Sequence, residues 1–249
     1  MKMTRKLIPA FVMLIVSAIM LSTASFAWFA TNRTVSANNM SVTANANTKY
    51  LHISTQPDSG FNTQVDAVNA SKSVDLINAK LDTDKKTVKW YLGSSTVSDS
   101  VGSTGAQLDS STVSADVDPV DPTSSKYALI NTFYFKMSDT SNSDLTNLTV
   151  SEISVSGSSS LAKALRVLVV GAGGSQIWKT NPADLTEMIE ADANNAEFLI
   201  TENITKTSAA TTNVKVYVYY DGEDESATSD NATALTQMTV NVTFTAADA

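Results

Sequence analysis

One histidine and no cysteine narrow the chemistry open to this chain before any fold is considered. His52 lies between Leu51 and Ile53 in a stretch that reads as strand, so its ring projects from the face opposite those two side chains. A triad or a zinc site needs partners at defined spacing, and a lone histidine cannot form a His-Glu-x-x-His pair. Serine is abundant, but no Gly-x-Ser-x-Gly turn is present to expose one as a nucleophile. Without cysteine there is no thiol nucleophile and no thiolate metal site. Gly171-Ala172-Gly173-Gly174 follows an apolar strand but lacks the amphipathic helix that a dinucleotide site requires, and it reads as a turn. Two acidic sets could offer oxygen ligands to calcium: Asp221, Glu223 and Asp224, and, in a separate polar stretch, Asp116, Asp118 and Asp121. Neither has EF-hand spacing, so the plain reading of solvated acidic turns competes with the metal one. No catalytic residue and no cofactor emerge, and a non-enzymatic protein is expected.

The elements that carry these residues are strands. Met40–Ala44 alternates, and so do Val88, Trp90 and Leu92 against Lys89 and Tyr91. Tyr127–Met137 is a long aromatic strand, and Leu165–Val170 is nearly continuously apolar, as expected of a strand covered on both sides. The alternation slips phase at Ser151-Glu152, between Leu148–Val150 and Ile153–Val155, which predicts a β-bulge. Val214, Val216, Val218 and Tyr220 alternate with Lys215, Tyr217 and Tyr219, and Met238, Val240, Val242 and Phe244 with Thr239, Asn241, Thr243 and Thr245. One helix is expected from Asn181 as cap, Pro182 in the first turn, Asp184, and Leu185, Met188 and Ile189 on one face. A second helical turn is expected over Ser160–Ala164. The fold class is therefore all-β: an antiparallel β-sandwich of jelly-roll type with one or two short helices, preceded by a hydrophobic signal helix. The expected organisation is residues 1–27 as signal peptide, 28–46 as an N-terminal strand segment, and 47–249 as a single sandwich. A long surface excursion over 93–126 interrupts that sandwich.

Leu7–Phe29 carries no charge, and Lys2, Arg5 and Lys6 precede it. A positive start, an apolar middle and a small-residue exit make a secretory signal, with Ser25 and Ala27 filling the signal-peptidase pocket and cleavage placed before Trp28. The run is also long enough to span a bilayer, so retention as an anchor is the alternative. Either way the body is expected outside the cytoplasm, with membrane contact only through this segment. The formal charge of −8 moves to about −11 when the three leading cations are removed. Such a surface favours solubility and repels nucleic acid. A disulfide-free exported chain must hold together by packing or by assembly. Asn-x-Ser/Thr triplets at Asn32, Asn147, Asn203, Asn231 and Asn241 arise readily in so Asn-, Ser- and Thr-rich a chain and receive no role.

The segment after the cut begins with the aromatic pair Trp28 and Phe29 and leads into strand-like Val35–Ala46. Such a strand can pair in its own sheet or be donated to a neighbour's, with Trp28, Phe29, Val35, Met40 and Val42 as the candidate anchoring residues. Ala24-Ser25-Phe26-Ala27-Trp28-Phe29-Ala30-Thr31-Asn32, Val35 and Met40-Ser41-Val42-Thr43-Ala44 together resemble the TasA/camelysin family of secreted proteins from Gram-positive bacteria. Val214–Tyr220, Asp221-Gly222-Glu223-Asp224 and Thr239–Ala246 are similar to that family's C-terminal part. The resemblance implies a jelly-roll-like sandwich on the cell surface or in the biofilm matrix, a dedicated signal peptidase, and polymerisation by N-terminal strand donation. It also brings the metal-dependent protease activity described for camelysin, for which this chain has no zinc motif. The expectation is a secreted structural subunit of a fibre, matrix or surface layer, with copies of itself as partner. A monomeric calcium- or glycan-binding surface module and a camelysin-like protease are the alternatives.

Overall fold

The computed structural model describes residues 13, 34–35, 41–46, 51–67, 74–75, 77–81, 88–92, 107–108, 127–138, 144–157, 160–191, 198–204, 212–224, 226 and 238–248. In chain order the strands are β1 (Thr34–Val35), β2 (Ser41–Ala46), β3 (Leu51–Ser54), β4 (Gln64–Asp66), β5 (Val74–Asp75), β6 (Ile77–Leu81), β7 (Val88–Leu92) and β8 (Gln107–Leu108). They continue with β9 (Leu129–Met137), β10 (Leu145–Ser156), β11 (Leu165–Gly171), β12 (Gly174–Thr180), β13 (Met188–Glu190), β14 (Thr201–Ile204), β15 (Thr212–Tyr220) and β16 (Thr239–Asp248). A 3-10 helix over Ser160–Ala164 precedes β11, where the helical turn was expected.

Two sheets face each other, ordered β14-β10-β16-β2-β4 and β13-β12-β11-β15-β9-β3. The chain passes repeatedly from one to the other, the wrapping of a jelly roll, apart from the meander β11–β13. Between them lies the main core. Val42 and Ala44 of β2, Ile153 and Val155 of β10, and Val240, Val242 and Phe244 of β16 meet Phe133 and Phe135 of β9, Val167 and Val169 of β11, and Val214, Val216 and Val218 of β15. Phe135 meets Phe244 edge-on with ring centroids 4.8 Å apart, a favourable aromatic geometry.

A third layer was not anticipated. The sheet β6-β7-β8 covers the outer face of the six-stranded sheet, where Ile77, Ala79 and Trp90 pack on Ile130, Leu168, Ile177, Tyr217 and Tyr219. Trp90 sits 5.5 Å from the Tyr217 ring and 5.4 Å from that of Tyr219. This is why β11 is apolar on both faces: Leu165, Val167 and Val169 point into the sandwich, while Leu168 points beneath the third layer. Of the expected 93–126 excursion, Gln107–Leu108 joins this layer against β7; its remaining residues lie outside those described.

The long pairings are antiparallel except one: β2 runs parallel to β16, from Ser41 opposite Thr239 to Ala46 opposite Phe244. On β10 the ladder with β16 slips at two places. One is at Ser151, the expected bulge, and the other lies between Thr146 and Thr149, where Asn147 takes a left-handed φ of 53°. Asparagine tolerates that conformation better than most residues.

Both lateral openings of the sandwich are laced by backbone bonds. On one side Asn62 exchanges bonds with Ile53 at the edge of β3, and the same segment then reaches β2 through Ala46 N–H to the Thr63 carbonyl and Ala67 N–H to that of Val42, both 2.8 Å. On the other, Glu187 bridges Ser154 of β10 just before Met188–Glu190 pairs with β12, and Ile200 is bonded both to Leu148 and to Gly173. Of the edge strands of the two large sheets, β3 has its open side engaged in this way, through Ile53 and Asn62.

The helix expected over 181–189 does not form. Asn181 Oδ1 accepts the Ala183 N–H at 3.0 Å, and Asp184 Oδ1 accepts both the N–H and the hydroxyl of Thr186. Two successive turns result, and the chain enters β13. Asn and Asp ahead of a polar run satisfy turns as readily as helix caps. Met188 alone of the supposed apolar face is buried; Leu185 and Ile189 are exposed.

The Gly171–Gly174 stretch is the tight turn between β11 and β12, and its Gly173 N–H donates to the Ile200 carbonyl at 2.8 Å. A Cβ at Gly173 would collide with the carbonyl oxygen of Leu199, a backbone atom that cannot swing away. Gly173→Ala should therefore cost about 1–3 kcal/mol of stability, as overpacking does. Thermal and urea denaturation would measure it, and an unchanged midpoint would show that this close approach is not required.

Candidate functional site

Two places collect the residues singled out in the sequence. The first is the turn after β15. Asp221 and Asp224 converge there on a cation that sequence reasoning passed over, Arg166 of β11, while Glu223 turns to Lys80. Its Nη2 lies 3.1 Å from Asp221 Oδ2 and 2.9 Å from Asp224 Oδ2, and its Nη1 donates to the carbonyls of Lys163 at 2.7 Å and Leu165 at 3.0 Å. The signal was present: a single Arg inside Leu165-Arg166-Val167-Leu168-Val169-Val170 must find acidic partners if the strand is buried. Lys80 of β6 reaches Glu223 at 3.4 Å, an exposed pair of small energetic weight.

Backbone bonds fix the turn on three elements. Asp221 N–H donates to the Ala164 carbonyl at 2.8 Å, Gly222 N–H to that of Ile77 at 3.2 Å, and Asp221 Oδ1 accepts the Glu223 N–H at 3.0 Å. The turn thus joins the 3-10 helix, the six-stranded sheet and the third layer. The guanidinium lies between the carboxylates of Asp221 and Asp224. Among the described residues no group of three or more His, Asp or Glu side chains is arranged to hold a metal ion. Asp116, Asp118 and Asp121 lie outside the described residues.

One guanidinium faces two carboxylates, and they divide its effect unequally. Burial pushes the Asp221 carboxyl up, with Arg166 only partly offsetting it. Burial also works against ionised Asp224, but the Ser226 hydroxyl and N–H together with Arg166 outweigh it and hold that group below its ordinary value. Burial raises the neighbouring Tyr219 and Tyr220 hydroxyls far out of reach of neutral titration.

The second place is the N-terminal strand segment. Val42 is fully buried in the main core and sits opposite Val240 in the parallel pair, so here it occupies its own chain's sheet. Val35 pairs with Val74 in the short β1–β5 ladder. Ser25, Ala27, Trp28, Phe29 and Met40 lie outside the described residues. His52 stands half-buried on β3 opposite Lys136 of β9, on the strand face opposite Leu51 and Ile53 as expected.

Removing Arg166 leaves two carboxylates in a confined site without their cation. Arg166→Met should destabilise the protein by about 3 kcal/mol, the low end for breaking a buried ion pair. The two acids should respond with opposite sign. Because the folded state raises the Asp221 pKa, stability from that group grows as pH falls through its folded pKa; because it lowers that of Asp224, stability from that group is present above 3.8 and is lost as pH falls below it. Asp224→Asn should therefore destabilise at neutral pH. Asp221→Asn should be neutral or stabilising there and should remove the acid-side gain. Denaturation from pH 3 to 7 reads both, and a strongly destabilised Asp221→Asn would overturn this division.

Comparison of the chain with protein-family models, with curated proteins and with solved structures returned no match.

Proposed function

We propose that the protein is an exported structural subunit of an extracellular fibre, biofilm matrix or cell-surface layer, assembling by passing its N-terminal strand segment to a neighbouring copy. The observation that carries this reading is the parallel ladder between β2 and β16. A hairpin holds its two strands together by a turn; β2 and β16 stand near opposite ends of the chain, and connectivity does not dictate that they meet. The slot between β16 and β4 that accepts Val42 and Ala44 from the same chain accepts them equally well from another, because the side chains and backbone groups are identical. Such an exchange preserves every contact and is an inexpensive route to oligomers.

The resemblance of Ala24–Asn32 and Met40–Ala44 to the TasA/camelysin family supports the same reading and the export that goes with it. The apolar leader, Met13 apart, lies outside the described residues, and among those described no helix is long and apolar enough to cross a membrane. The strongly acidic body, whose copies repel one another, would confine association to a specific pairing rather than to general stickiness.

Protein recovered from culture medium should begin at Trp28 by N-terminal sequencing and should form filaments visible by electron microscopy as its concentration rises. Deleting Trp28–Val35, the leading part of the segment that carries β2 into a neighbouring copy, should abolish the filaments while leaving β2 in its own sheet and the sandwich folded. Persistent monomers across salt and pH, or a cell-associated chain with residues 1–27 intact and no filaments, would overturn the proposal.

A further inference from the structure

We infer that the paired chain ends form a mechanical clamp, so that the protein bears load applied between the chain ahead of Ser41 and the chain beyond Asp248. This stands on the strand geometry of a single chain and holds whether or not copies assemble. In the parallel ladder the chain enters at Ser41, opposite Thr239, and leaves beyond Asp248, past the other end of the ladder, where Ala46 lies opposite Phe244. Tension between the two ends therefore runs along the strands. It loads all six register pairs at once, over a ladder roughly 17–20 Å long at about 3.3 Å per residue. Nothing yields until the set slides together. If the same strands were drawn apart from one end, their bonds would open one after another.

The surroundings reinforce the clamp. Val42, Ala44, Val240, Val242 and Phe244 are buried, so water cannot reach the core side of the ladder to replace a strained bond. On its far side β16 is held antiparallel by β10 from Leu145 opposite Asp248 to Ser156 opposite Thr239, and withdrawing β16 endwise shears that ladder as well. On the far side of β2, the Ala67 N–H to Val42 carbonyl and Ala46 N–H to Thr63 carbonyl bonds add to the β4 pairing. By contrast β1 meets β5 over two register pairs only, so it yields first and leaves β2 to take the load. Resistance to force is set by the unfolding barrier in the direction of pulling, not by overall stability.

The chain has no cysteine, so two introduced ones define the pulling points in the full-length protein without ambiguity. Asn39→Cys with Ala249→Cys pulls along the ladder; Asn39→Cys with Thr239→Cys pulls at one end of it. Single-molecule force spectroscopy should give a rupture force several times higher for the first pair than for the second. Equal forces, or a weaker first pair, would overturn the clamp. Residue alternation turns the backbone N–H of Thr43 towards β16, since Val42 and Ala46 bond towards β4. Thr43→Pro in the first pair should therefore drop its rupture force towards the second's, and an unchanged force would place the resistance elsewhere. If that variant does not fold, the comparison of the two pulling directions still decides. Filament assays read a different property, so loss of assembly and loss of the clamp would be told apart.

Discussion

Burial of the six-stranded sheet on both faces is the constraint that shapes the rest of the molecule. A chain with no disulfide and a large negative charge must draw its stability from apolar area, at roughly 25 cal/mol per Å² removed from water. A two-layer sandwich leaves one face of each sheet wet. Here β6 and β7 cover the outer face over Leu168, Ile177, Tyr217 and Tyr219, so β11 and β15 lie at the centre of three layers rather than two. The tyrosines suit that place, since each provides a large apolar body against Trp90 and the neighbouring strands.

Burying a strand on both faces leaves no cheap position for a charge, yet β11 carries Arg166. Its site resolves the conflict. The guanidinium turns back at the start of the strand, bonds two carbonyls of its own chain, and meets both acids of the following turn. A cation with two carboxylates and two carbonyls is well satisfied; the surplus negative charge falls on Asp221, the more deeply buried acid. Asp221 and Asp224, acidic residues that in sequence offer oxygen ligands, here stand as counter-charges to Arg166. The result ties the third layer to the central sheet through the Gly222–Ile77 backbone bond.

How much of this was legible depended on whether the signal was local. The β-branched alternation of Val214–Tyr220 and Val240–Phe244 specifies strands by itself, and the phase slip at Ser151 specifies the bulge, because period two leaves no other way to keep Ile153 inside. Two-sided burial of Leu165–Val170 was legible for the same reason. The identity of the cover was not, because the match between Trp90 and Tyr217 joins residues far apart in sequence. Leu185, Met188 and Ile189 misled because a helical spacing of three apolar residues is weak when Asn181 and Asp184 can close turns with their own side chains. Arg166 was missed because its partners lie more than fifty residues downstream. Of the candidate strand-donation residues, Val35 and Val42 were legible as strand formers; the direction in which β2 pairs is a tertiary fact that no local pattern encodes.

That direction bears on how a terminal strand could both exchange and hold. If β2 paired antiparallel with β16, the chain ends would leave from the same end of the ladder, and tension between them would peel the strands apart bond by bond. Parallel pairing sends the ends opposite ways. Exchange in the proposed assembly proceeds by opening the ladder from one end, a path on which each step breaks few contacts and an incoming identical strand replaces them. Pulling between the two ends of one chain takes the other path, on which every contact is strained at once. The same set of bonds is therefore kinetically soft to replacement and stiff to load, because the barrier depends on the direction from which it is approached. In the proposed assembly, a carboxylate-rich surface that discourages casual contact, together with the apolar slot that holds Val42 and Ala44, would confine association to the strand whose pairing can also bear the strain.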